Sequence, residues 1–83
     1  MAQWKASNKY DLTGVHGAEA FRDLPEGATL RMTDGHIVEI IENARNGTNL
    51  LVKVVENEAS PSSVGEEEFV FFADVQEAVE EGE

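Results

Sequence analysis

His16 and His36 are the two histidines of this 83-residue chain, the residue type most often used for proton transfer. Acid–base chemistry would run through them, with one of seventeen carboxylates as partner. No motif links the two. His36 follows the Asp34-Gly35 pair and His16 sits between Val15 and Gly17, so the first reads as a histidine at the rim of a core and the second as loop. Glu66, Glu67 and Glu68 carry the oxygen ligands that calcium or magnesium prefer. In a strand, however, successive residues point to opposite faces, so only Glu66 and Glu68 could converge. No Asp-x-Asp-x-Asp-Gly loop is present. A charged edge that discourages strand-to-strand aggregation accounts better for this run.

The chain has no cysteine, which removes thiolate nucleophiles, thiolate metal sites and disulfides together. Its glycines precede no Lys-Ser or Lys-Thr pair, as a phosphate-cradling loop requires. Asn46-Gly47-Thr48 matches a glycosylation sequon, but a turn already explains the Asn and Gly. These observations predict a protein without catalysis, cofactor or metal. The absence of cysteine, of an apolar leader within Met1–Lys9 and of any run of about 20 apolar residues predicts a cytoplasmic chain.

Charge is the strongest compositional signal. Ten of the seventeen acids fall within residues 56–83, which contain no Lys or Arg, whereas residues 1–55 hold seven acids and six bases. The net charge is −11. A surface of this sign repels phosphate backbones and anionic membranes and attracts cationic patches over a Debye length of about 8–10 Å. A high-salt niche would also favour acids, but it would spread them over the whole surface.

Period-two alternation dominates from Ala28 onward. Asp34-Gly35 marks a hairpin. A two-residue loop would pair Leu30 with Glu39 and place a carboxylate in the core. A three-residue loop, Thr33-Asp34-Gly35, instead aligns Ala28, Leu30, Met32, His36, Val38 and Ile40 on one face. Asn46-Gly47 closes a second hairpin onto Leu50–Glu56, where Leu50, Val52 and Val54 share a face opposite Leu51, Lys53 and Val55. Asn57–Gly65, with Pro61 and four serine or glycine positions nearby, reads as a long loop. Glu66–Ala73 is a fourth strand. Asp74-Val75-Gln76-Glu77 has capping-box spacing and predicts a short helix over Val75–Val79, with Glu80, Glu81 and Glu83 as a solvated tail. Gly17–Asp23 suits one or two helical turns before Pro25, and Trp4, Tyr10, Leu12 and Val15 suit an added strand.

The expected fold is a single mainly β domain over residues 1–83, a small SH3-like or OB-like barrel of four to five antiparallel strands with one or two short helical turns. Its divisions are an N-terminal segment with a short helix (1–27), strands (28–73) and a short helix with an acidic tail (74–83). Leu24-Pro25-Glu26-Gly27-Ala28-Thr29-Leu30-Arg31 followed by Gly35-His36 resembles the opening strands of bacterial translation initiation factor one, an OB-fold family. The resemblance implies an OB-like architecture and, in the family, RNA binding. An OB barrel that binds RNA needs Lys and Arg along its strand face and aromatic platforms for bases; here the bases are too few and the later strands carry acids instead.

Phe69-Val70-Phe71-Phe72 is apolar at consecutive positions, so both faces of that strand must be covered or one must meet a partner. Aromatic centres give interfaces their affinity and charged rims their encounter rate. The expectation is an acidic accessory or regulatory module that docks on a larger, basic-patched protein or enzyme complex through Glu66, Glu67, Glu68, Phe69, Phe71, Phe72, Glu77, Glu80 and Glu81. Nucleic acid and membrane are not expected partners, and a homodimer through Phe69–Phe72 is an alternative association. Trp4, Tyr10, Phe21 and Leu24 would add a second contact if left unpacked. Two rival functions are a DNA mimic, whose carboxylates would be spaced like phosphates, and a small metal-binding or enzymatic protein using His16 and His36.

Overall fold

The computed structural model describes residues 3–82. Six strands form one antiparallel sheet: β1 (Gln3–Ala6), β2 (Thr29–Met32), β3 (Ile37–Glu42), β4 (Asn49–Glu56), β5 (Glu67–Phe71) and β6 (Val75–Gly82). Their spatial order is β1-β6-β2-β3-β4-β5. One helix, α1 (Gly17–Arg22), precedes β2. The mainly β expectation holds, with six strands where four to five were predicted. The sheet is curled and open, not closed: β1 and β5 are its two edges. Curling brings the Trp4 indole N–H on β1 to the Glu56 carboxylate on β4, at 2.8 Å, although three strands separate them in the sheet.

The hairpin register follows from which side chains are apolar. Leu30 pairs with Val38 and Arg31 with Ile37, the arrangement of the three-residue Thr33-Asp34-Gly35 loop. The Gly35 N–H donates to the Met32 carbonyl and the Met32 N–H to that of His36. Gly35 sits at φ +100°, a conformation in which a Cβ is disfavoured. This register puts Leu30, Met32, Val38, Ile40, Leu50, Val52, Val54 and Val70 on one face, where they are buried. Phe21 and Leu24 from α1 and its exit, with Leu12, cover that face and are buried too. The helix lies tight against the preceding loop, because a Cβ at Gly17 would fall 2.3 Å from the Leu12 carbonyl oxygen.

The 74–83 segment departs from expectation. Phe72–Asp74 is a single 3-10 turn, and Val75–Gly82 is strand β6 instead of a helix and tail. Val75, Ala78 and Val79 have helical spacing, but a helix would bury only one stripe. As a strand between β1 and β2, β6 satisfies its backbone in two ladders and buries Ala78 on the core face and Val79 on the other. Glu80 and Glu81 therefore belong to a paired strand, and Glu83 lies outside the described residues. At the N-terminus Trp4 does lie in an added strand, whereas Tyr10, Leu12 and Val15 are in the connection to α1. Phe21 and Leu24 are wholly buried and offer no second contact surface.

Candidate functional site

The histidines occupy different surroundings. His16 precedes α1, mostly exposed, with Glu19 3.5 Å from its Nδ1. His36 leaves the Asp34-Gly35 turn toward the rim of the core, and its side chain is only 12 % exposed. Its Nδ1 meets the Asp34 carboxylate and its Nε2 lies 3.1 Å from the Glu68 Oε1. The backbone N–H of His36 also donates to Asp34, and this bond, followed by the ring contact, holds the Asp34 carboxyl below the ordinary aspartate value despite some desolvation. With both ring nitrogens engaged, His36 ties the β2–β3 turn to β5. Among the described residues no three His, Asp or Glu side chains are arranged to hold a metal ion.

The C-terminal acids divide between two strands. On β6, Glu77 is held by Arg31 at 2.6 Å, and the same guanidinium donates to the Trp4 carbonyl at 3.0 Å. Glu80 faces Lys5 across the β1–β6 ladder, and the exposed Glu81 faces Trp4. On and before β5, Glu66 and Glu67 are exposed, Glu67 lies opposite Lys53, and Glu68 turns to His36. Strands β2, β3 and β4 intervene between the two groups in the sheet. Glu66, Glu67 and Glu68 thus lie on and before one edge of the sheet, and Glu77, Glu80 and Glu81 on a strand that is not its neighbour.

Aromatic exposure follows strand alternation. Phe69 and Phe71 point outward, 65 % and 49 % exposed, while Val70 between them is buried. Phe72 turns inward at the 3-10 turn and meets Phe21 with ring centroids 5.1 Å apart. It joins the core and leaves the exposed strip. Leu51 lies directly opposite Phe69 on β4. A cleft of about 180 Å³ beside this pair is lined by Glu42, Ala44, Asn49, Leu51 and Phe69. The outward face of β4 and β5 therefore presents two phenylalanine rings, a half-buried leucine and the Glu67 carboxylate together. Reading the sequence alone missed Leu51 and Ala44 as members of this surface. The Leu50-Leu51 doublet was the available signal, since alternation leaves one of two adjacent leucines outside the core.

No helix among the described residues is long and apolar enough to cross a membrane. The chain matches no protein-family model, no curated protein and no solved structure.

Proposed function

We propose that this protein is a non-catalytic, acidic accessory module that docks on a larger protein or enzyme complex bearing a basic patch, through the outward face of β5. The observation that carries the reading is the pair Phe69 and Phe71, exposed side by side on a strand that begins with Glu67 and follows Glu66. A contiguous apolar strip with a charged margin is costly to leave in water and matches the anatomy of a docking surface. The net charge of −11 favours a cationic counterpart and disfavours nucleic acid and anionic membranes. A chain without cysteine suits a reducing compartment, and we assign it to the cytoplasm.

The test uses Phe69→Ser/Phe71→Ser and Glu66→Lys/Glu67→Lys variants as baits beside the wild type. A partner that is retained by the wild type, lost from both variants and released by about 0.5 M salt supports docking at β5. Equal retention by all three baits, with both variants folded by circular dichroism, overturns it.

A further inference from the structure

The β4–β5 ladder determines which backbone groups of β5 remain free. The Phe72 N–H donates to Thr48 and the Val54 N–H to Glu66, and the register runs Asn49–Phe71, Leu50–Val70, Leu51–Phe69, Val52–Glu68 and Lys53–Glu67. Hydrogen-bonded pairs alternate in an antiparallel ladder, so Val70 and Glu68 bond to β4. The N–H and C=O of Glu67 and Phe69, and the N–H of Phe71, point to the edge where no further strand lies. The same three residues carry the outward side chains. Edge groups and exposed rings therefore coincide.

We infer that β5 receives an added antiparallel strand, an extended cationic segment of the partner whose backbone bonds to Glu67, Phe69 and Phe71; this rests on the docking reading above and specifies its mode. Charge selects the occupant. Residues 66–68 are three consecutive glutamates, and Lys53, opposite Glu67, is the cation that faces them across the ladder. Side chains directly opposite in an antiparallel pair share a face. The incoming strand then needs apolar residues opposite Phe71 and Phe69, a β-branched residue opposite Val70, and Lys or Arg opposite Glu68, Glu67 and Glu66. Read from its N-terminus, that is an apolar, β-branched, apolar, basic, basic, basic segment. A second copy of β5 would bring three further glutamates against a chain of net charge −11, which disfavours that occupant. Strand addition of this kind draws affinity from main-chain bonds and specificity from alternate side chains.

The probe is the acetylated, amidated peptide Val-Thr-Val-Lys-Arg-Lys titrated into the full chain, with amide exchange and chemical shifts read by NMR. The expected result is slowed exchange at Glu67, Phe69 and Phe71, with little change at Glu68 and Val70, which already bond to β4. N-methylation at the third and fifth peptide positions, which face β5, should weaken binding about tenfold or more, as expected for loss of two hydrogen bonds. N-methylation at the second and fourth should leave it within about twofold. Equal binding by both N-methylated peptides, with Phe69→Ser still weakening them, overturns strand addition and leaves side-chain docking standing. Absence of any peptide-induced shift overturns the cationic-strand occupant, and the bait comparison above then judges docking separately. Slowed exchange at the same three amides on raising protein concentration without peptide assigns the edge to a second copy and also overturns it.

Discussion

Strands β5 and β6 inherit the same acidic stretch of sequence and use it in opposite ways. In β6, flanked by β1 and β2, Glu77 is neutralised by Arg31 and Glu80 stands opposite Lys5. In β5, which has a neighbour on one side only, Glu67 has Lys53 opposite it on β4 and an open edge on the other side, and it faces solvent with the rings of Phe69 and Phe71. The partners of Glu77 and Glu80 come from both strands beside β6, Arg31 on β2 and Lys5 on β1, whereas β5 has an adjacent strand on one side only. Local charge density therefore does not identify a contact surface. Position in the sheet does, because it decides how many cations and apolar groups each acid meets.

This contrast breaks most sharply when a charge is moved from the open to the closed side of one strand. Val70→Asp places a carboxylate among Leu50, Val38 and the rest of the buried face and should cost about 3 kcal/mol or more, enough to unfold much of the population of a small domain. Phe69→Asp, one residue away and outward, should leave the urea midpoint nearly unchanged. Comparable losses in the two variants would remove the distinction between inner and outer faces.

A smaller effect separates the two acidic strands. Glu77→Gln removes a charge-assisted bond to Arg31, whose side chain and that of Glu77 are 28 % and 27 % exposed, and should cost about 1–2 kcal/mol. Glu67→Gln should change stability by no more than about 0.5 kcal/mol while weakening binding to a basic partner. Chemical denaturation and a binding isotherm on both variants sharpen the comparison. A Glu67 effect on stability as large as that of Glu77 would make β5 an ordinary structural strand.

The smallest predicted effect concerns the His36 rim that joins the β2–β3 turn to β5. The Asp34 pKa is lowered in the folded state by the His36 backbone N–H and then its ring, with Glu68 on the ring's other nitrogen. A depressed carboxyl pKa contributes stability that is present above the unfolded value, 3.8 for an unperturbed aspartate, and that is lost as pH falls through the lower folded value. Asp34→Asn should therefore lower the denaturation midpoint slightly at pH 6 and by less at pH 3. The difference between the two pH values is the measurement, and an equal deficit at both would assign the contribution to hydrogen bonding alone.

Much of the scaffold was readable because short-range chemistry dictates it. The apolar spacing of Leu30, Met32, Val38 and Ile40 admits one hairpin register, and Gly35 supplies the conformation that register demands. Gly17–Asp23 formed its predicted turns, and the alternation of Phe69, Val70 and Phe71 followed strand period. Asp74–Glu77 was misleading because capping-box spacing is a local preference, and the unpaired edge of β2 supplied a stronger, non-local demand for a partner strand. His36 at the rim was legible from the hairpin, but its second carboxylate, Glu68, was not, since it arrives from 32 residues away.

The sequence by itself determined the core-facing set of β2 to β5, the tight turn at Gly35 and the acidic sign of the whole surface, because each depends on side-chain period, backbone freedom or a count of charges. Tertiary structure alone decided that β6 would be interior and β5 an edge. That choice depends on which backbone groups find partners across the curled sheet, and it separates the carboxylates that hold the fold together from those left facing solvent.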